Sequence, residues 1–134
     1  MKVKRGGSRV TTSLVFFVAA ATLLAAARYV YVTGYRPVLA AEYDSAGGGY
    51  CVKAYMIGEP VFPFGPVKYR IDLYSGGKRI SSAEVQVKND GAAAGEGNFE
   101  VLFGDDAAYV RIMADEMDDI NIVMYYNGGV EEQP

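Results

Sequence analysis

The chain has 134 residues, 16 of them acidic and 13 basic, with no histidine, no tryptophan and one cysteine. The lack of histidine excludes Ser-His-Asp and Cys-His catalytic machinery and histidine-based zinc sites. A single cysteine excludes an internal disulfide framework and a four-cysteine metal site. The length allows one domain of ordinary size, or a smaller domain with an accessory segment. We therefore expect a non-enzymatic protein without a metal or cofactor.

The charges are split between a basic head and an acidic body. Residues 1–40, the head, carry six basic side chains and no acid, with four of the six in residues 1–9. All 16 acids lie in the body, residues 41–134, together with seven basic residues. The net charge of −3 therefore combines a head of +6 with a body of −9. An acidic body without clustered Lys and Arg disfavours nucleic acid as a partner, because phosphate binding needs such clusters.

An uncharged apolar run separates the two parts. Residues 10–27 carry no charge, and Tyr29 and Tyr31 suit a membrane interface. We predict a transmembrane helix over residues 10–32, with 1–9 as a cytoplasmic tail and the lipid bilayer as its partner. Four basic residues before the run and two after it favour a cytoplasmic N-terminus at the cell membrane and an extracytoplasmic C-terminal domain.

Two other interpretations of this run stay open. A cleaved signal peptide has the same basic-then-apolar order, and Ala25-Ala26-Ala27 is a plausible cleavage site that would yield a secreted β-domain. A buried core helix is the second alternative, although the run is hydrophobic on all faces. A lipoprotein anchor is rejected because Cys51 lies far beyond the run.

Short alternating segments follow the apolar run. Residues 33–49 contain Pro37 and three consecutive glycines and are predicted to be a linker. Residues 50–126 are predicted to form the β-domain, and 127–134 a flexible tail. Apolar residues alternate with polar ones in six segments of this domain, which is typical of half-buried strands: 50–57, 67–74, 80–88, 99–103, 108–112 and 120–126.

These segments predict an all-β extracytoplasmic domain of about six strands. Most of the connections have hairpin length, so long parallel crossovers have no room. The expected architecture is an antiparallel sandwich or open barrel of immunoglobulin-like size, preceded by one N-terminal transmembrane α-helix. The Cys…Trp…Cys core of true immunoglobulin domains is missing, so the likeness concerns architecture alone.

Several short motifs carry a resemblance. They are Gly34-Tyr35-Arg36-Pro37, the strand-like Tyr50-x-Val52-x-Ala54-Tyr55-x-Ile57, the segment 58–66 and Asn89-Asp90-Gly91. In these motifs and in its order of basic tail, span and β domain, the chain resembles small uncharacterised membrane-anchored proteins of clostridial-type Gram-positive bacteria. The resemblance implies an envelope location and no known activity.

The segment GEPVFPFGP at residues 58–66 is the most distinctive candidate contact site. Three prolines and two phenylalanines make a stiff apolar loop, which lowers the entropy cost of binding a partner. The alternative is that Phe62 or Phe64 plugs the core of the β domain. The predicted binding residues, which include an outward tyrosine on a neighbouring strand, are Pro60, Phe62, Pro63, Phe64, Pro66 and Tyr74.

Acidic clusters and Cys51 have ordinary structural explanations. Residues 105–106 and 115–119 hold acids that could serve calcium, but they lack EF-hand spacing and are expected at opposite ends of one strand. Cys51 is expected to be a small buried hydrophobic residue, with a reactive thiol as the alternative.

The resulting functional hypothesis is a binding or interaction module at the cell envelope, with an envelope protein or cell-wall component as partner. The alternative is an accessory or structural subunit of a membrane complex that acts through its transmembrane helix. The alanine-rich stretches 19–21 and 25–27 would allow close helix packing.

Overall fold

The computed structural model describes residues 8–58, 66–88, 96–114 and 118–133. One long helix precedes eight strands that form two four-stranded sheets. The helix, α1, is Ser8–Gly34. The strands of sheet A are β1 (Pro37–Asp44), β2 (Tyr50–Ile57), β3 (Val67–Ser75) and β4 (Lys78–Val87). Those of sheet B are β5 (Phe99–Phe103), β6 (Ala107–Ile112), β7 (Ile120–Tyr125) and β8 (Val130–Gln133).

Helix α1 contains an apolar segment, Val10–Gly34, that is long enough to cross a membrane. Its 25 residues rise about 37 Å, which exceeds the hydrocarbon thickness of about 30 Å. None of its most apolar window is buried against the rest of the described chain. This exposure contradicts the core-helix interpretation, because a core helix buries its apolar surface in its own protein.

Helix α1 ends at Gly34, shortly before a proline. The backbone N–H groups of Tyr35 and Arg36 both donate to the carbonyl of Tyr31, at 2.9 Å each. Pro37, which lacks an N–H and disfavours helix in the residue before it, then begins β1. The chain therefore passes from helix to sheet within three residues.

Each sheet is an antiparallel meander in which strands that follow each other in the chain are hydrogen-bonded neighbours. The inward side chains of both sheets join one hydrophobic core. Ile71 and Leu73 of β3 belong to it, as do Ile112 of β6 and Met124 of β7, all fully buried. Burying each such side chain contributes roughly 1.5–3 kcal/mol. The domain is thus a two-sheet β-sandwich, as predicted, rather than an open barrel.

Aromatic contacts join the two sheets at two places. The rings of Tyr69 and Phe99 meet edge to face at 5.1 Å, and the Tyr43 hydroxyl donates to the Phe99 carbonyl at 3.1 Å. Elsewhere, the rings of Tyr50 and Tyr126 stack with centroids 3.7 Å apart and planes 9° apart. These pairs fix how the two meanders face each other.

Two strands go beyond the six that the sequence predicts. Strand β1 lies inside the expected linker at residues 33–49, where a register shift between Leu39 and Ala41 interrupts the alternation that marks a strand. Strand β8 lies inside the expected tail at residues 127–134. Its four side chains are all exposed, so backbone pairing with β7 holds it and no apolar pattern marks it.

Candidate functional site

A carboxylate with no exposed surface lies on the outward side of sheet A. Asp72 sits on β3 between the inward residues Ile71 and Leu73, so strand alternation directs its side chain away from the core. Its Cα partners are Lys53 on β2 and Ser82 on β4. The outer face of sheet A, meaning the outward side chains of β2, β3 and β4, is therefore built around a buried acid.

Three side chains compensate the charge of Asp72. The Ser82 hydroxyl donates to Oδ1 at 2.6 Å. The Arg70 Nε donates to Oδ2 at 3.1 Å, and the Arg79 guanidinium lies 3.6 Å from the same oxygen. A buried carboxylate is tolerated only when it is paired and hydrogen-bonded in this way. Asp72 in turn restrains two arginine side chains that stay partly open to solvent.

Two tyrosines complete this face. The Lys53 ammonium lies 5.6 Å from the ring centroid of Tyr74, and the Arg70 guanidinium lies 5.0 Å from that of Tyr55. Both distances suit cation–π attraction. Burial, and then a hydrogen bond with Tyr55, raise the pKa of the Tyr74 hydroxyl. The contacts around Asp72 and the two rings thus involve three cations, Lys53, Arg70 and Arg79.

An ion pair on β1 and β2 extends the network to the sheet edge. The Lys53 Nζ lies 2.9 Å from Glu42 Oε1. This contact lowers the pKa of the Glu42 carboxyl and raises that of the Lys53 ammonium. Because β-sheet neighbours on one face pack in rows, Glu42, Lys53, Asp72 and Ser82 form a continuous row across four strands.

Cys51 differs from the expected buried hydrophobic residue. It is half-buried on the same outer face, because alternation along β2 directs Val52 and Ala54 to the core instead. Burial, and then Asp44 and Glu42, raise the pKa of the thiol to about 12. Potential ligand atoms of Glu42, Asp44 and Cys51 lie within 4.8 Å of one another. All three residues are exposed or half-buried, and the Glu42 carboxylate is already paired with Lys53.

Of the predicted binding residues, the structure describes only Pro66 and Tyr74, and these two lie apart. Pro60, Phe62, Pro63 and Phe64 lie outside the residues that the structure describes. Pro66 is exposed immediately before β3, whereas Tyr74 is half-buried near the other end of that strand. At about 3.3 Å per residue, the two are roughly 26 Å apart. Tyr74 belongs to the outer face of sheet A, and Pro66 does not.

The described members of the two acidic clusters lie at opposite ends of β6, as expected. Asp105 and Asp106 are exposed before β6, and Asp118 and Asp119 follow its other end. Asp119 accepts hydrogen bonds from Arg111, with Nε at 2.8 Å, and this contact lowers the pKa of its carboxyl. Asp115 and Glu116, part of the suggested calcium loop, lie outside the described residues.

The sequence carries a partial signal for the Asp72 network. In the alternating segment 67–74, the positions 68, 70, 72 and 74 carry Lys, Arg, Asp and Tyr, which the alternation places on one face. What the alternation does not reveal is that Arg79 and Ser82 of the next strand converge on the same acid. That convergence depends on the β3–β4 register and on its shift between Leu73 and Tyr74.

Comparison of the chain with protein-family models, with curated proteins and with solved structures found no match. The fold itself defines a class: an antiparallel β-sandwich of two four-stranded meanders behind one exposed apolar helix. Among the described residues, the outer face of sheet A carries a buried carboxylate with three side-chain partners.

Proposed function

We propose that this protein is a single-pass, membrane-anchored β-domain that binds an envelope component and performs no catalysis. The binding role is supported by the outer face of sheet A, where Asp72 holds Arg70 and Arg79 in place beside two tyrosine rings. Restrained arginines and tyrosines are the residues that most often dominate binding energies, because little side-chain freedom is lost on contact.

The anchoring part of the proposal is supported by α1. A signal peptide has an apolar core of about 7–15 residues, whereas this helix is apolar over Val10–Gly34 and continues unbroken past Ala27. The positive charges before the helix favour a cytoplasmic N-terminus and an extracytoplasmic β domain. The resemblance to membrane-anchored proteins of clostridial-type bacteria points to the same location and remains part of the proposal.

The partner we propose is an envelope protein or cell-wall component that carries negative charge. Five of the seven basic residues of the body lie on β2, β3 and β4, and four acids lie on the strands of sheet A. The strands of sheet B carry one basic and three acidic residues. A negatively charged partner is therefore directed to sheet A and away from sheet B.

Site-specific photocrosslinking tests this proposal. A photoreactive phenylalanine analogue replaces Tyr74 on the outer face of sheet A, and in a matched control it replaces Tyr109, which is exposed on sheet B. Irradiation of intact cells, followed by purification and mass spectrometry, should give a defined adduct at position 74 and none at 109. High salt should weaken that adduct. Equal labelling at both positions would contradict the assignment of the face.

A second candidate function rests on the exposed surface of α1. Because none of its apolar window is buried in the described chain, the helix is free to pack against another transmembrane helix. Small residues at 19–21 and 25–27 would allow close approach. Replacement of the span by an unrelated one of equal length separates the two candidates, since a simple anchor tolerates the exchange and a subunit helix loses its complex.

A further inference from the structure

A cavity of about 400 Å³ lies where α1 meets sheet A. This volume falls within the range of about 300–1,000 Å³ that is typical of small-ligand sites. The residues around it come from the end of the helix and from β2, β3 and β4. We call it the junction cavity, and its lining includes Gly34, Tyr35, Ile57, Lys68, Glu84 and Gln86.

The junction cavity has a fixed position relative to the helix end. The Gly58 N–H donates to the Arg36 carbonyl at 2.9 Å. Gly58 is buried, and a Cβ placed on it would collide with the carbonyl oxygen of Thr33. The residue that follows β2 therefore packs directly on the last turn of α1. If α1 crosses the bilayer, the cavity that contains Gly34 lies at the depth of the lipid headgroups.

The helix end carries the residues of a membrane interface. Tyr29, Tyr31 and Tyr35 are all exposed, with Tyr35 lining the cavity. Exposed tyrosines concentrate at the boundary between hydrocarbon and water. Arg28 and Arg36 flank the same turns. This composition places phospholipid headgroups next to the cavity.

The cavity offers one cation and one carboxylate that do not neutralise each other. Lys68 and Glu84 are exposed on neighbouring strands, and within the described chain neither takes part in an ion pair. They are offset by two positions, because Lys68 pairs in register with Gln86 and Glu84 with Arg70. A ligand that carries both a phosphate and an ammonium group matches this arrangement.

From this geometry we infer that the junction cavity binds the headgroup of an amine-bearing phospholipid such as phosphatidylethanolamine. Lys68 holds the phosphate, with the Gln86 amide as a further donor, and Glu84 accepts hydrogen bonds from the primary ammonium. A quaternary choline has no N–H to donate, and phosphatidylglycerol has no cation for Glu84. This inference depends on the membrane anchoring proposed above and deepens it by naming the lipid class.

Native mass spectrometry of the full chain in detergent tests the inference. Phosphatidylethanolamine, phosphatidylcholine and phosphatidylglycerol with identical acyl chains are titrated separately. We expect about tenfold tighter binding of phosphatidylethanolamine, because one charge-assisted hydrogen bond is worth roughly that factor. Lys68→Ala should remove the retention of this lipid, and Glu84→Gln should reduce it to the level of phosphatidylcholine. The matched control is Lys78→Ala, an exposed lysine at the opposite end of β4, which should bind as the wild type does.

A charge reversal separates the inference from simple loss of structure. Glu84→Lys should transfer the preference to phosphatidylglycerol, an outcome that a misfolded protein cannot give. Equal retention of all three lipids by the wild type, or an unchanged Lys68→Ala variant, would overturn the headgroup assignment. Competition by free phosphoethanolamine at the same concentration as the lipid would indicate a soluble ligand. It would overturn the inference that the headgroup belongs to a membrane lipid.

Membrane anchoring itself is tested by a separate measurement. Membranes from cells that make the wild-type chain are washed with alkaline carbonate before purification. Release of the intact chain would overturn both the anchoring and the headgroup assignment. A retained chain with no lipid preference would overturn the headgroup assignment alone.

Discussion

The Ser82 hydroxyl donates a 2.6 Å hydrogen bond to Asp72, a fully buried carboxylate that points away from the hydrophobic core. This contact joins β3 to β4 through side chains as well as through the backbone. It also leaves the other carboxylate oxygen to Arg70 and Arg79. The loss of this central acid would therefore remove a contact from Ser82, Arg70 and Arg79 at once.

Asp72→Asn should destabilise the domain by about 1–3 kcal/mol, because two guanidinium groups lose the charge that compensates them. Ser82→Ala should cost less, since it removes one neutral donor. Thermal unfolding of the full chain followed by near-ultraviolet circular dichroism measures both. The control is Glu100→Gln, which breaks an exposed ion pair with Arg111 and should change stability by less than about 1 kcal/mol. An Asp72→Asn variant as stable as this control would contradict the network.

Gly58→Ala should loosen the contact between α1 and sheet A. Gly58 has a φ of 74°, and an added Cβ would meet the Thr33 carbonyl. The positive φ and the steric clash both disfavour any side chain at position 58. We therefore expect the free energy of unfolding to fall by about 1–3 kcal/mol in the same melting experiment. Gly47→Ala is the matched control, because a Cβ there meets no atom within 4 Å. Equal melting temperatures for the two variants would show that the junction is not tightly packed.

The Cys51 thiol should react slowly at neutral pH. Its folded-state pKa of about 12 lies above the ordinary thiol value of about 8.5, so little thiolate forms below pH 10. Alkylation by iodoacetamide at pH 7 should be about 100-fold slower than that of a free thiol, after allowance for the greater nucleophilicity of a basic thiolate. The rate should rise with each pH unit and show no plateau below pH 10. Glu42→Gln with Asp44→Asn should move the curve to lower pH; a wild-type plateau near pH 9 would contradict the assignment.

The mature protein should retain residues 1–27. An uncleaved anchor requires that the chain purified from membranes has the mass of the full sequence, whereas signal cleavage after Ala27 would leave Arg28 as the new N-terminus. Intact-mass spectrometry of the membrane fraction distinguishes the two. As a control, the same measurement on the soluble fraction shows whether a shorter form is released.

Phe62→Ala combined with Phe64→Ala tests residues 58–66 as a contact surface separate from the outer face of sheet A, and it should lower capture of an envelope partner while leaving the domain folded. This prediction follows from the stiff apolar sequence of residues 58–66. The flanking residues, Gly58 and Pro66, lie at the same end of sheet A as the helix exit. Pull-down from solubilised membranes measures capture, and Leu102→Ala, an exposed change on sheet B, is the control. A large fall in melting temperature would support the core-plug alternative instead.

Some strands could be predicted because their apolar side chains are the buried ones, so the sequence pattern follows the burial pattern. In β3 and β6 nearly every second residue is apolar and buried, so the alternation marks both the strand and its inward face. The same alternation predicts that Tyr74 faces outward, and it is half-buried on the outer face of sheet A. In contrast, the register shift in β1 and the exposed side chains of β8 remove this signal, and backbone pairing alone defines those strands.

By itself, the sequence determined the order of basic tail, apolar helix and antiparallel β domain, because hydrophobic periodicity and charge act locally along the chain. Only the tertiary structure decided which distant side chains meet. Asp72 gains Arg79 and Ser82 through strand register, and Lys68 lines one cavity with the end of α1, which packs against Gly58. Such contacts depend on the pairing of residues far apart in the chain, which no local pattern encodes.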